Sequence, residues 1–141
     1  MKKEGIKVDK YLFFATFTPC EEGGYTITFI DLPGCISECD DVEEGMRNAK
    51  EVLELHLWGM EEDDDTIPAA SKPEQIKLEA GEFIVPVCVY MPPVREEMNN
   101  KAVKKTLTVP YWLNKIAEEQ KVNFSAILQK SLKESLGIKE R

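Results

Sequence analysis

The sequence lacks most of the signals that would place it in a large functional class. No run approaches the ~18 apolar residues of a membrane-spanning helix. There is no Gly-X-Y period, no internal repeat, and no low-complexity tract beyond one short acidic run. A Gly-rich phosphate loop and a GxGxxG turn are both missing, so the common nucleotide-binding signals are absent. The only histidine, His56, has no Ser or Cys near it at a spacing that suggests a nucleophile and its base. Acids are so common, at 26 residues, that neighbouring carboxylates such as Asp40-Asp41 arise by default and carry no catalytic signal. The expectation is a protein that is not an enzyme. The four cysteines, Cys20, Cys35, Cys39 and Cys88, do not form the paired CxxC units of a structural zinc site. No metal and no other cofactor is expected. The start, Met1-Lys2-Lys3-Glu4-Gly5, runs into polar residues without the grammar of a secretion signal, so the cysteines read as reduced thiols of a cytoplasmic protein.

What is present is an ordinary globular composition with an uneven charge. The chain has 141 residues, 43% hydrophobic and 31% charged, enough for one domain or two very small ones. Residues 1–100 hold 9 Lys/Arg and 22 Asp/Glu, a balance of -13, whereas residues 101–141 hold 9 and 4, a balance of +5. The overall charge of -8 hides this reversal. A basic segment suits a polyanion, because neutralising phosphates releases counterions. An acidic body suits a basic partner, or solubility alone.

Along the chain, Tyr11 to Phe17 reads as a mostly buried strand. Glu21-Glu22-Gly23-Gly24 turns it into Tyr25-Thr26-Ile27-Thr28-Phe29, which alternates with period two, so residues 11–29 form a hairpin. Asp31-Leu32-Pro33-Gly34 is a second turn before a short strand from Cys35 to Cys39. Asp41 caps a helix, with Glu44 three residues on, and Met46, Ala49, Leu53, Leu57 and Met60 follow at helical spacing. Gly45 costs that helix about 1 kcal/mol relative to Ala. Five acids, Glu61, Glu62, Asp63, Asp64 and Asp65, stand where the macrodipole disfavours them and mark its end. Phe83 to Tyr90 is a fourth strand, and Pro86 confines it to an edge or a bulge. Residues 92–101 read as a linker between a first domain, 1–91, and a second, 102–141.

The second domain has a different grammar. Lys104 to Val109 alternates, Pro110 opens a helix carrying Leu113, Ile116 and Ala117, and Asn123 caps another carrying Phe124, Ile127, Leu128, Leu132 and Leu136. Gly137 is its natural stop. Strand–helix–helix in about 35 residues buries too little alone. A homodimer completes it, with two strands paired as an antiparallel ribbon that fits a DNA major groove. Lys104, Thr106 and Thr108 then face bases, and the first amides of the second helix, near Asn123 and Ser125, face a phosphate. A packing module with a solvated strand face is the bland alternative. This segment resembles the ribbon-helix-helix family of DNA-binding proteins.

The first domain also carries a pattern. Gly23-Gly24-Tyr25, the alternating strand, Asp31-Leu32-Pro33-Gly34-Cys35, an acidic turn, a Leu-rich helix and Asp65-Thr66-Ile67-Pro68 follow in that order. Residues 11–71 closely, and 83–90 loosely, resemble the HicB antitoxin family. The resemblance implies an α+β fold: a small antiparallel or mixed sheet with one long helix, like a truncated ribonuclease H, followed by the ribbon-helix-helix. It implies a partner, a HicA-like toxin that is a small basic ribonuclease cleaving mRNA. It also implies repression of the shared operon through operator DNA by a homodimer or higher oligomer. Glu43, Glu44 and the run Glu61, Glu62, Asp63, Asp64 and Asp65 are the acidic surface read as the toxin-binding patch. The rival readings are a solitary HicB-like repressor without a toxin, and a ribonuclease H-like nuclease built on Asp31 and the acids at 40–44.

Overall fold

The computed structural model describes residues 7–139; the Met1–Gly5 start lies outside the described residues. Among the described residues, four strands and four α-helices follow in the order β1 (Lys10–Pro19), β2 (Tyr25–Phe29), β3 (Ile36–Cys39), α1 (Val42–Glu62), β4 (Phe83–Tyr90), α2 (Met91–Asn100), α3 (Tyr111–Glu119) and α4 (Phe124–Ser135), with one 3-10 turn at Pro73–Gln75. The chain divides into two compact units between Lys101 and Ala102.

In the first unit the four strands form an antiparallel sheet ordered β3-β2-β1-β4. The tight turns at Gly23-Gly24 and at Asp31–Gly34 place β1, β2 and β3 side by side. The 20 residues after α1 return the chain to pair β4 along β1, Phe17 opposite Phe83 and Lys10 opposite Tyr90. Pro86 lies in an edge strand, as its missing N–H requires. One face of the sheet, with Phe13, Ala15, Phe17, Ile27, Phe29, Val87 and Val89, is sealed by Ala49, Leu53 and Leu57 of α1. Phe17, Tyr25 and Phe83 cluster at one end of this core, with centroids 5.0 to 5.9 Å apart, Phe17 stacked on Phe83 and Tyr25 edge-on to Phe83.

The helix stripe differs from the expected one in its first turn. Met46 is 54% exposed, and Gly45 is the residue that faces the sheet. A Cβ at Gly45 would stand 2.5 Å from Phe17 Cε2 and 2.7 Å from Cys39 Sγ. The glycine is therefore what lets α1 approach β1 and β3, and its propensity cost is offset by that contact.

A second correction concerns residues 92–101. The expected linker is the helix α2 and belongs to the first unit. Pro92 and Pro93 fall in its first turn, where an absent N–H leaves no bond unmade. Met91 and Val94 are buried in the core and Met98 packs against it.

The second unit is a helix pair preceded by an extended segment. Residues 101–110 have no strand partner in the single chain, so the expected strand at 104–109 forms no ladder. Pro110 precedes α3, and Asn123 Oδ1 accepts a hydrogen bond from Ala126 N at 3.0 Å to cap α4. No residue of α3 or α4 is buried.

Candidate functional site

The Asp31-Leu32-Pro33-Gly34-Cys35 turn is a structural knot. Leu32 N donates to Phe29 O at 3.0 Å and Cys35 N to Leu32 O at 3.1 Å. Gly34 takes φ +89, a region open to glycine, while Leu32 and Cys35 plug the core. Asp31 accepts from Ser71 N at 2.9 Å and from Ser71 Oγ at 2.5 Å, anchoring the loop that follows α1. Both of its oxygens are thus engaged 40 residues away in sequence. Among the described residues, no three His, Cys, Asp or Glu side chains group as a metal site would require.

The cysteines are free thiols, Cys35 and Cys39 buried, Cys20 and Cys88 exposed. Burial pushes the Cys35 thiol up to about 11, which keeps it protonated and unreactive. His56 is half-buried on α1.

The acidic residues expected to form one patch stand in two places. Glu43 and Glu44 occupy the first turn of α1, where the helix dipole favours them and where Asp41 Oδ1 accepts from Glu44 N at 2.8 Å. Glu61 to Asp65 lie at the other end. A helix of 21 residues separates the two groups by about 30 Å. The acidic run closes the helix: Asp64 takes φ 55, and Asp65 N reaches back to Met60 O at 2.9 Å. Glu61 is not part of an open surface. Its side chain is 7% exposed and is held by Arg95 of α2. Near the α1 N-terminus, Glu44 joins Glu21, Glu22, Glu38 and Asp40 around an open cleft of about 610 Å³. The hairpin turn and β3 bring these acids together; their sequence spacing does not announce it.

In the second unit Lys104, Thr106 and Thr108 are exposed along the extended segment, and Ser125 is exposed in the first turn of α4. The apolar stripes are open as well. Leu107, Leu113, Ile116, Phe124, Ile127, Leu132 and Leu136 are between 43% and 70% exposed. Leu128 and Ala117 are half-buried. A helix pair with this much unburied apolar surface fits an association module.

The first unit is an antiparallel sheet packed against α1 and α2, carrying an acidic surface. The family described as HicB_like antitoxin of bacterial toxin-antitoxin systems matches residues 13–131. The chain belongs to this family, whose members are antitoxins and not enzymes. It is 38% identical over 56 residues to the antitoxin HicB of Escherichia coli K12, covering 40% of this chain and 41% of that protein. Among solved structures it resembles a chain of a toxin-antitoxin complex from Streptococcus pneumoniae, with a TM-score of 0.58 at 21% identity, covering 89% of this chain and 99% of that one. It also resembles the antitoxin HicB of Burkholderia pseudomallei, with a TM-score of 0.52 at 19% identity over 89% and 98% of the two chains. The fold is shared with both. The chain spans less than two thirds of the length of the curated relatives it matches, 65% of one and 41% of the Escherichia coli protein. No helix among the described residues is long and apolar enough to cross a membrane.

Proposed function

We propose that this chain is the antitoxin of a type II pair. Its first unit captures and neutralises a HicA-like mRNA-cleaving toxin. Its second unit dimerises as a ribbon-helix-helix and represses the operon by binding operator DNA. The observation that carries this reading is the family match, which runs through both units rather than stopping at Lys101. The charge reversal supports the division of labour, with -13 on residues 1–100 for a basic protein and +5 on residues 101–141 for DNA. The exposed faces of α3 and α4 support a second copy. In that dimer Leu107 and Val109 turn toward the helices, while Lys104, Thr106 and Thr108 line the outer face of the ribbon. Asn123 and Ser125 stand at the phosphate.

The test compares the full chain with one ending at Lys101. Two probes are used: the DNA upstream of the gene, and a small basic protein from an adjacent reading frame, which this reading requires. The shortened chain should keep the protein complex and lose DNA binding and dimerisation. Undiminished DNA binding by the shortened chain would sink the assignment of the second unit. Failure of the full chain to bind the neighbouring protein would sink the antitoxin reading.

A further inference from the structure

An open groove of about 620 Å³ runs between α1 and α2. Leu55 of α1, 52% exposed, and the half-buried Met98 of α2 give it apolar walls above the buried Val94. Glu51 and Glu54 of α1 and Glu97 of α2 line the same groove, with Lys101 at its end. Among the described residues none of these three carboxylates is in a salt bridge. Burial raises the Glu54 carboxyl, and the charges of Glu97 and Glu51 push it the same way against the pull of Lys50. The isolated protein thus holds three like charges against an apolar strip, an arrangement that a cation entering the groove would relieve. The strip asks for apolar contact from the same visitor. A side chain with an apolar stem and a charged head, Lys or Arg, answers both demands. Two helices forming the walls suit an amphipathic segment laid between them.

The other acidic regions lack this combination. Glu61 is already neutralised by Arg95. No aliphatic side chain lines the cleft beside Glu44.

We propose that the α1–α2 groove is where the first unit seats a Lys/Arg-bearing amphipathic segment of the toxin, a placement that rests on the antitoxin reading. The toxin's cations meet Glu51, Glu54 and Glu97, and its apolar side chains meet Leu55 and the open part of Met98.

The probe is a small basic protein from an adjacent reading frame, which the antitoxin reading requires, titrated with the full chain. The triple variant Glu51→Gln/Glu54→Gln/Glu97→Gln should bind about tenfold or more weakly, with a shallower salt dependence of the association rate. A control of equal charge change at residues of the first unit that do not line the groove, Glu21→Gln/Glu22→Gln/Glu74→Gln, should stay within about twofold. Leu55→Ser should weaken binding without altering the salt dependence. Melting of the triple variant should be unchanged or higher, since it removes repulsion. If it melts lower, Glu51→Lys alone, at an exposed position, carries the comparison. Wild-type affinity in the triple variant overturns the groove, and so does an equal loss in the control, which would mean general attraction. If the wild-type chain does not bind the probe, the antitoxin reading fails first and the groove assignment falls with it.

Discussion

Arg95 grips Glu61 with both arms of its guanidinium, Nε donating to Oε1 at 2.9 Å and Nη2 to Oε2 at 2.6 Å. The same side chain donates to the Val8 carbonyl at 2.6 Å and to Asp9 Oδ1 at 3.1 Å. One residue therefore ties α2 to the end of α1 and to the segment leading into β1. Bonding to Glu61 favours the charged guanidinium more than desolvation disfavours it. The fork geometry is what arginine supplies and lysine does not.

Breaking this tie should be costly because it leaves a carboxylate, 7% exposed, without its partner. Arg95→Ala should destabilise the protein by about 3 kcal/mol, read from urea unfolding. Arg95→Lys should recover only part of that loss. Amide exchange in α2 should quicken in both variants. An Arg95→Ala protein as stable as wild type would show that Met91 and Val94 hold α2 alone.

Two glycines in the same helix should respond oppositely to alanine. Gly45→Ala forces a Cβ toward Phe17 and Cys39 and should destabilise by about 1–3 kcal/mol. Gly59 has nothing within 4 Å of such a Cβ, so Gly59→Ala should gain about 0.5–1 kcal/mol of helix propensity. Thermal melts of the two variants decide it, and a shift of the same sign in both would contradict the close approach at Gly45.

The Glu54 carboxyl gives a pH signature. Its folded pKa is raised, chiefly by burial and then by its like-charged neighbours. The folded state therefore holds the proton more tightly than the unfolded chain, and this residue's contribution falls as pH rises through the shifted value. Glu54→Gln should melt higher than wild type at neutral pH. The difference should close as the pH drops below the ordinary glutamate value of 4.5. A difference independent of pH would exclude the electrostatic origin.

On the proposed DNA-binding role of the second unit, base and phosphate contacts should separate by mutation. Thr106→Ala or Thr108→Ala should cost about 1–3 kcal/mol of specific affinity per lost base contact while leaving random-duplex binding almost unchanged. Asn123→Ala and Ser125→Ala should weaken all duplexes alike. Loss of the Asn123 cap should also lower stability by about 1 kcal/mol, which melting must report separately. Competition of specific against random duplex at fixed salt measures the ratio; a wild-type ratio in the threonine variants would place recognition outside the ribbon.

Local patterns were legible where neighbours in sequence supply the partners. The alternation at Tyr25–Phe29 and the Asp41 and Asn123 caps appear in the structure as expected, and α1 ends within the acidic run, at Glu62 rather than Met60. Pro86 in the edge strand follows from its own chemistry. The misreadings share a cause. Pro92-Pro93 reads as a break, but in a first helical turn it is harmless, and the stripe Met91, Val94, Met98 has value only against a core already built. Gly45 reads as a defect until Phe17 is opposite it.

By itself, the sequence determined β1 to β4, the helices α1, α3 and α4, the Asp41 and Asn123 caps and the charge reversal at residue 101, because period, capping and charge are properties of adjacent residues. The tertiary structure decided what those residues face. Glu61 is spent on an arginine 34 residues away, and Asp31 on a serine 40 residues away. Glu51, Glu54 and Glu97 share one groove because α2 packs beside α1. Such pairings depend on burial and on the order of strands, and no local spacing encodes them.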